Sequence, residues 1–524
     1  MSTNLPEFAT FVAAAAAAEM VALCVPIAFD HETAVTLADR FIDEPHMFLL
    51  ESAASGGPNA RHSFLGFDPL WTWTVSDARS GEAVLASGAV TERRHLPAGN
   101  PLAGLRELMQ ERRLATVYPV GTRLGGPDTA AMVGASGFLG FDVGSALEPS
   151  AGTSPPKTLG LPDAFFFFPR SFLVLDHLSR RLFVSRNVLI QGGSEAELRQ
   201  VFAAELAHLV RLLQRLNAAH VPAPLVLSEQ PVDFAACTAS VTKAEFLERG
   251  QRCLEAVKAG DIFQIQIGNR LSLATQARPF DIFRHLRMIN PSPYMFFYKL
   301  GEHHILGASP EMMVGVQGQR LTHRPIAGTR RRTWDSVQDA KMRRELVESE
   351  KERAEHVMLV DLARNDIGRL AVPGTVQVEE LMTVEEYSHV FHMVSQVTGV
   401  MPTGTDAFDA MQVSFPNGTV SGAPKIMAMQ LITQLETISR EFYAGSLGIL
   451  DVRGNLKSTL LIRTIHVARG LASTQASAGF VYDSVPEQEW LETRNKMTAC
   501  LLAMQNTHAA SKLSVGTLPA TELT

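Results

Sequence analysis

The segment DSVPEQEWLETRNK, residues 483–496, predicts a helix with charged side chains gathered on one face. Pro486 suits the first turn because it lacks an N–H group, and Ser484 with Glu487 forms the S-x-x-E pattern of a capping box. At about 100° per residue, three charged side chains share one stripe of this helix: Glu489, Glu492 and Lys496. This stripe is either an ordinary solvated face with one i,i+4 ion pair or part of a functional site.

Composition limits the functions that the chain can have. Its 524 residues are 46% hydrophobic and 19% charged, which is typical of globular proteins. The net charge of −7 predicts no broad basic surface, so we expect no nucleic-acid partner. No C-x-x-C spacing joins the four cysteines, which argues against a disulfide framework or a zinc site and favours a cytoplasmic protein.

The N-terminal stretch FVAAAAAAEMVALCV, residues 11–25, predicts a packed helix rather than a signal peptide. No basic residue precedes it, and Glu7 and Glu19 bracket the apolar run. No uninterrupted apolar segment reaches the length of about 20 residues that a membrane span needs, so we expect a soluble protein without a membrane partner.

The chain divides into a β-rich first part and a mixed second part. Between residues 27 and 190, short apolar runs alternate with Gly- and Pro-rich joints, which predicts strands and turns. The expected helices lie at residues 193–217, 242–260, 335–366, 423–437 and 485–506. We therefore predict an α+β protein with a β-rich region at 1–230, a catalytic region at 231–508 and a disordered tail at 509–524.

A second acidic helix is predicted for EKERAEHVMLVDLARNDIGR, residues 350–369, where Glu352 and Glu355 share a face. If this face met Glu489 and Glu492, four carboxylates would converge. Carboxylates crowded together away from water need a cation, and a site made of oxygen ligands favours Mg²⁺. The alternative is a pair of ordinary surface helices.

Further segments are suited to an anionic ligand. In FPNGTVSGAPKIMAMQLI, residues 415–432, Gly418 and Gly422 allow close backbone approach, and the helix after Pro424 offers free N–H groups. The backbone at Gly479 could form an N–H nest, and Arg463 could hold a carboxylate. Each of these features alone is more often structural.

Taken in order, eight segments resemble one family, the large chorismate-binding component of anthranilate synthase. They are FLLES (48–52), DIFQIQIGNR (261–270), NPSPYMFF (290–297), GASPEMM (307–313), RPIAGTRRR (324–332), the segments at 350–369 and 415–432, and DSVPEQEWLETRNK. The resemblance implies an α+β fold of two large β-sheets packed together and flanked by helices.

The resemblance also implies a reaction in tryptophan biosynthesis. Chorismate is aminated by ammonia, and pyruvate is then eliminated to give anthranilate. Mg²⁺ is expected between Glu355 and Glu492, with Glu352 and Glu489 binding it through water. The metal would grip the ring carboxylate as a template and Lewis acid.

Other site residues follow from the same resemblance. Glu311 matches the acid for the departing hydroxyl, and His392 matches the histidine near the elimination step. The enolpyruvyl carboxylate is expected at Arg463, Tyr443, Gly479 and Lys496. The resemblance also implies that Thr329 and Gln264 are catalytic residues. It implies further substrate contacts at Ala327, Gly328 and Thr419.

Two positions indicate the reaction type within the wider superfamily. Relatives that add water to chorismate have a lysine where this chain has Gln264, and a neutral amide cannot activate water. Relatives that make 4-amino-4-deoxychorismate have a lysine where this chain has Ala327. Both differences favour anthranilate synthesis over isochorismate, salicylate or aminodeoxychorismate synthesis.

Regulation and partners are also implied. The segments FLLES and NPSPYM match the two halves of the tryptophan inhibitor site of the family, through Glu51, Ser52, Pro293, Tyr294 and Met295. No segment places a nucleophilic cysteine on a tight Gly-rich turn, so ammonia is expected from a separate glutamine amidotransferase subunit. The implied assembly is a heterotetramer of two large and two small subunits.

Three departures from the family pattern leave alternatives open. The segment QIQIGNR adds Gln266 beside Gln264, GNLKS places Lys457 where an acid is usual, and ASAG replaces AGAG at residues 476–479. The alternative functions are a 2-amino-2-deoxyisochorismate synthase that keeps the enolpyruvyl group, and a catalytically silent tryptophan-sensing subunit.

Overall fold

The computed structural model describes residues 5–30, 32–52, 61–76, 81–87, 90–96, 100–110, 114–118, 133–225, 231–387 and 390–514. The helices within these ranges, α1 to α13 in chain order, are Phe8–Ala15, Ala34–Asp39, Pro101–Gln110, Val143–Leu147, Glu195–Asn217, Lys243–Ala259, Pro279–Ile289, Ser336–Glu348, Glu350–Gly368, Ala407–Ser414, Gly418–Ser421, Lys425–Leu435 and Pro486–Ser514. None of these described helices is both long and apolar enough to cross a lipid bilayer.

The strands in the same ranges are numbered β1 to β23. They are Met20–Ala28, His46–Glu51, His62–Val75, Gly81–Ser87, Val90–Leu96, Leu114–Val117, Gly134–Leu139, Ala164–Asp176, Arg181–Leu189, Thr238–Ala239, Gln264–Ala274, Tyr294–Leu300, His303–Ser309, Met312–Gln317, Arg320–His323, Ile326–Arg331, Gln377–Glu386, Val390–Val400, Gly422–Ala423, Ser446–Asp451, Leu456–Leu460, Thr464–Ala468 and Leu471–Phe480.

Strand pairing forms two large sheets, as expected. The first has the order β6-β1-β9-β8-β3-β2-β12-β13-β22-β23-β11. The second runs β5-β4-β3-β8-β7-β20-β21-β14-β15-β18-β17, and β16 also pairs with β18. Apart from the parallel β1–β6 pair, these pairings are antiparallel. The α+β class is confirmed.

Strands β3 and β8 belong to both sheets because they change neighbours near their midpoints. Pro69 lies opposite Pro169, and the register shifts between Pro69 and Trp71. Proline has no N–H group to donate, so the ladder is interrupted there. Before this point β3 pairs with β2, and after it β3 pairs with β4. The two sheets therefore share one pair of bent strands.

Alternating side chains of the first sheet enter two separate hydrophobic cores. In β2, Phe48 joins the core that contains side chains of both sheets. Its neighbours Met47 and Leu49 join the core formed with α1, α2, α5, α7 and α13. Because side chains of a strand alternate between faces, one apolar run serves both cores.

The two regions of the chain share strands. Strand β2 pairs with β12, and β7 pairs with β20, so segments from before and after residue 230 lie side by side in each sheet. The functional division at residue 230 stays a prediction, and residues 226–230 lie outside the described residues. Helix α13 continues to Ser514, so residues 509–514 are helical where we expected disorder, while 515–524 lie outside the described residues.

Two expected helices differ from the observed ones. The N-terminal apolar stretch is helical only to Ala15, and β1 follows because Met20–Ala28 pairs along its full length with β9. The helix expected at 335–366 is divided at Ser349, whose hydroxyl accepts a hydrogen bond from the Glu352 amide and begins α9.

The last helix begins at Pro486, as predicted, but without the predicted capping box. The Ser484 hydroxyl instead accepts from the Val481 amide at 3.1 Å and donates to the Gly479 carbonyl at 3.3 Å. Ser484 therefore fastens the end of β23 to the start of α13. This connection sets the position of the acidic face of α13 relative to Gly479.

Candidate active site

Four carboxylates face one another near the beginnings of α9 and α13. Burial raises the pKa of Glu355, and the charges of Glu352 and Glu492 raise it further. Burial and then the charge of Glu492 raise the pKa of Glu489 to about 7. Carboxylates influence one another in this way only when they are close together. The structure thus places the four residues that the sequence nominated for metal binding within electrostatic range of one another.

Two of these carboxylates have basic partners. The Lys496 ammonium lies 2.7 Å from Glu492 and donates to the Ser477 carbonyl at 2.9 Å. Arg330 lies 3.0 Å from Glu352. Within the described ranges, no group of three or more acidic, histidine or cysteine side chains has the geometry of a metal site. An oxygen-only donor set with excess negative charge suits Mg²⁺, and metal binding there stays a prediction.

Glu311 is a buried acid next to this group. Only 7% of its surface is exposed, and its Oε1 atom has no hydrogen-bond partner among the described residues. Burial raises the pKa of Glu311 to about 7, although a hydrogen bond from Thr419 and the charge of Lys496 act in the opposite direction. A substantial fraction of Glu311 is therefore protonated near neutral pH and can donate a proton.

His392 forms the opposite case, a base held in its neutral form. Its Nδ1 atom lies 3.2 Å from the Gly328 carbonyl and 3.2 Å from the Thr329 hydroxyl. Burial lowers the pKa of His392 to about 4. Since a carbonyl only accepts hydrogen bonds, Nδ1 donates to Gly328 and Nε2 is left to accept a proton.

The strand that contains Thr329 passes close to α9. Gly328 has φ of 61°, and a Cβ atom there would lie 3.1 Å from the Glu352 carboxylate and 2.7 Å from Leu346. Ala327 pairs with Met393 on the neighbouring strand. The left-handed backbone conformation favours glycine at this position, and side chains of α8 and α9 approach it closely. Ala327, Gly328 and Thr329 thereby lie between the acidic face of α9 and His392.

A basic and hydroxyl-lined region contains Arg463, Tyr443 and Ser477. The Tyr443 hydroxyl lies 2.7 Å from the Ser477 hydroxyl and accepts from the Ser477 amide at 2.8 Å. Burial lowers the pKa of Arg463, whose charge also acts on His392, and no described Asp or Glu balances that charge. A partly buried guanidinium without a carboxylate partner favours an anionic ligand.

Gln264 and Gln266 both contact the backbone at Gly479. A Cβ atom on Gly479 would lie 2.9 Å from the Gln264 side-chain nitrogen and 2.8 Å from that of Gln266. The Gln264 oxygen is buried without a hydrogen-bond partner in the described part of the chain. A side chain at position 479 would displace both amide groups, and the second amide, Gln266, is one of the departures from the family pattern noted in the sequence.

The five residues nominated for an inhibitor site line one separate cavity, with about 460 Å³ of empty space that includes its opening to solvent. Glu51 and Met295 face each other in the β2–β12 pair. Both oxygens of Glu51 accept hydrogen bonds from Arg287, each at 2.7 Å. The Ser52 hydroxyl is buried and has no hydrogen-bond partner among the described residues. The two halves predicted from FLLES and NPSPYM are thus joined by direct strand pairing.

Several residues that hold the nominated ones in place were not apparent from the sequence. Arg330 binds Glu352, Ser477 contacts both Tyr443 and Lys496, and Asn417 accepts a hydrogen bond from the Thr419 amide at 2.9 Å. Arg330 and Asn417 lie inside quoted motifs, but only the folded contacts give them a role. Lys457 lines the inhibitor-site cavity, although the sequence marked it only as a departure.

Comparisons with known proteins show the family of the chain. Residues 56–502 match the family model described as chorismate binding enzyme. The chain belongs to this family. It is 38% identical over 478 residues to anthranilate synthase component 1 of Acetivibrio thermocellus, covering 91% of this chain and 93% of that protein. The same protein of Thermus thermophilus is 40% identical over 484 residues, covering 92% and 97%.

A solved structure gives the same result. The crystal structure of anthranilate synthase component I from Streptococcus pneumoniae matches with a TM-score of 0.69 and 33% identity, covering 85% of this chain and 93% of that one. Within the chorismate-binding enzymes, the chain is therefore an enzyme of the anthranilate synthase component I type. The family and fold expected from the eight segments are confirmed.

The buried acid predicts a specific pH dependence of stability. Because the pKa of Glu311 rises from 4.5 to about 7 on folding, the folded protein binds this proton more tightly than the unfolded chain. The resulting stabilisation is present at low pH and is lost as pH rises towards 7, by up to about 3 kcal/mol. Glu311→Gln keeps the shape without titrating, so its stability relative to wild type should increase between pH 5 and pH 8. Urea unfolding at both pH values measures this change, and a difference independent of pH would contradict it.

Proposed function

We propose that the protein converts chorismate and ammonia into anthranilate, pyruvate and water, with Mg²⁺ as cofactor and tryptophan as inhibitor. The observation that supports this most strongly is that four carboxylates act on one another's pKa values, in a structure that also holds a buried acid and an arginine without an acidic partner among the described residues. Chorismate has two carboxylates, so one can meet a cation held by the acidic group while the other meets basic side chains.

The residues of the acidic group would hold the metal. These are Glu355 and Glu492, with Glu352 and Glu489 acting through water. When bound, Mg²⁺ would supply a template and a Lewis acid for the ring carboxylate. Lys496 and Arg330 now neutralise two of the four carboxylates, so both would have to give way to the cation.

The other carboxylate would be held on the basic side of the site. Arg463 offers two parallel N–H donors, and the Tyr443 hydroxyl, the Gly479 backbone and Lys496 complete the proposed contacts. Because Arg463 has no described acidic partner, binding a carboxylate there replaces water without breaking an existing ion pair. Ala327, Gly328 and Thr419 would contact the substrate between the two ends.

Proton transfers are assigned to two residues with opposite pKa shifts. Glu311, protonated in part near neutral pH, would donate a proton to the departing ring hydroxyl, which leaves as water. His392, neutral at the same pH, would accept a proton at Nε2 as the ring becomes aromatic and pyruvate leaves. Thr329 would keep the imidazole oriented through its contact with Nδ1.

The nucleophile is assigned as ammonia because Gln264 cannot act as a base. Ammonia needs no deprotonation, whereas water would. We propose that a separate glutamine amidotransferase subunit supplies it, in a cytoplasmic heterotetramer of two large and two small subunits. The name component 1 of the relatives supports a second component.

Feedback inhibition is assigned to the separate cavity. Thr459 lines this cavity, and its hydroxyl donates to the Glu311 carbonyl at 2.6 Å. A ligand in the cavity therefore contacts a residue that is hydrogen-bonded to the proposed acid. Tryptophan would inhibit if it binds more tightly to a state in which this acid is displaced.

The proposed reaction has a direct test. The purified chain with chorismate, Mg²⁺ and ammonium at alkaline pH, where more of the nitrogen is neutral NH₃, should produce anthranilate, detected by fluorescence and mass. A product that retains the enolpyruvyl group would instead identify a 2-amino-2-deoxyisochorismate synthase, an alternative favoured by the additional amide of Gln266. Absence of turnover would favour a silent tryptophan-sensing subunit.

Loss of either central carboxylate should abolish turnover. Glu355→Gln and Glu492→Gln each remove a charged ligand, so we expect at least about 100-fold lower activity across a Mg²⁺ titration. Glu487→Gln, at an exposed position in the first turn of α13, is the matched control and should retain activity. Near-normal rates at saturating Mg²⁺ in the first two variants would show that the acidic stripe of α13 is an ordinary solvated face and not a metal site.

A large ring in the separate cavity should relieve inhibition. Ser52→Phe replaces the unpartnered Ser52 hydroxyl with a ring that fills part of the cavity. Pro293→Ala changes the shape of the cavity wall at residue 293. In a tryptophan dose series, with each rate divided by the uninhibited rate of the same variant, both curves should shift to higher tryptophan. Curves identical to that of wild type would show that tryptophan does not inhibit through this cavity.

A further inference from the structure

Lys457 contributes a positive charge to the inhibitor-site cavity. It lies in β21, opposite Ile449 of β20 and Gly315 of β14, and it lines the same cavity as Ser52 and Met295. Burial lowers the pKa of Lys457 to about 8, and no described acidic side chain offsets that effect. The ammonium group is thus partly withdrawn from water without a carboxylate partner in the described structure.

The acidic residue of the cavity is already neutralised. Both oxygens of Glu51 are held by Arg287 at 2.7 Å. His62 also lines the cavity, and burial lowers its pKa to about 4, with the charge of Lys457 acting in the same direction. His62 is therefore neutral at pH 7. Lys457 is consequently the cavity-lining charge that, among the described side chains, has no counter-ion.

The remaining walls are mostly apolar, which suits a ring or hydrocarbon group. They include Leu50, Phe64, Phe296, Leu447 and Ile449. The Ser52 hydroxyl, which has no described partner, adds one neutral donor. An apolar cavity with one unbalanced cation favours a ligand with an apolar body and one anionic group, and it disfavours a second cation.

We propose that Lys457 is a specificity-determining residue that binds the carboxylate of an aromatic ligand, and that the cavity does not require an ammonium group on that ligand. This inference rests on the proposed use of the cavity for inhibition and adds the ligand class. Small aromatic monocarboxylates are expected to bind whether or not they are amino acids. Their carboxylate would form a charge-assisted hydrogen bond with the Lys457 ammonium.

Three indole compounds distinguish the contributions of the carboxylate and the ammonium group of tryptophan to binding. Tryptophan has both groups, indole-3-propionate has only the carboxylate, and tryptamine has only the ammonium. Calorimetric titration of the full chain at pH 7 should give indole-3-propionate an affinity at least equal to that of tryptophan. Tryptamine should bind at least about tenfold more weakly, since it loses the ion pair and meets the charge of Lys457.

Variants of Lys457 assign the effect to this side chain. Lys457→Met removes the charge but keeps much of the apolar stem. Tryptophan and indole-3-propionate should therefore each bind at least about tenfold more weakly, while the affinity for tryptamine should not fall. Lys457→Arg keeps the charge and should retain the preference for carboxylates. Lys243→Met, at an exposed position in α6, removes the same charge elsewhere and should change nothing. Thermal unfolding of each variant checks that it is folded.

The outcomes distinguish this inference from the inhibitor assignment on which it rests. Tryptophan binding that is unchanged by Lys457→Met, or tryptamine binding equal to that of indole-3-propionate, would overturn the inference while leaving tryptophan inhibition possible. Failure of all three compounds to bind wild type would overturn both. Weaker carboxylate binding in Lys457→Met, restored in Lys457→Arg, would establish the lysine as the carboxylate contact.

Discussion

Burial raises the pKa of Glu355, and the negative charges of Glu352 and, across the space between α13 and α9, of Glu492 raise it further. The rest of the proposed site depends on this crowding of carboxylates. Two helices distant in sequence place their acidic faces together although the carboxylates oppose one another. Lys496 and Arg330 offset part of the cost by pairing with Glu492 and Glu352. A divalent cation carries the same total charge as these two side chains, but it would place that charge between Glu355 and Glu492. The free energy stored in the repulsion would then contribute to metal binding.

The two sheets make this arrangement possible by holding the helices on a shared framework. Helix α9 lies against β16 and β18 of the second sheet, whereas α13 lies against β23 of the first. The bent strands β3 and β8 join the sheets, and the β2–β12 and β7–β20 pairs join the two regions of the chain. Thr459, in the second sheet, lines the cavity and donates a hydrogen bond to the Glu311 carbonyl, so it connects the cavity with Glu311.

Local sequence signals predicted those features that depend on neighbouring residues. The helix beginning at Thr242 has the expected capping box and ends at Gly260 in a left-handed conformation. The start of α13 at Pro486 was also predicted, but its capping box was wrong because Ser484 bonds to the end of β23. The apolar run after Ala15 resembles a helix by composition, and only pairing with β9 makes it a strand. Likewise, the unbalanced charge of Lys457 depends on Arg287 neutralising Glu51, a contact between residues 236 positions apart.

We propose that the four facing carboxylates hold one divalent cation. The most direct measurement is the anomalous scattering of Mn²⁺, as a substitute for Mg²⁺, in crystals of the protein. We expect one anomalous peak between Glu355 and Glu492, with Lys496 moved away from Glu492. Crystals at saturating Mn²⁺ that show no peak there, with the Lys496–Glu492 and Arg330–Glu352 pairs intact, would contradict it.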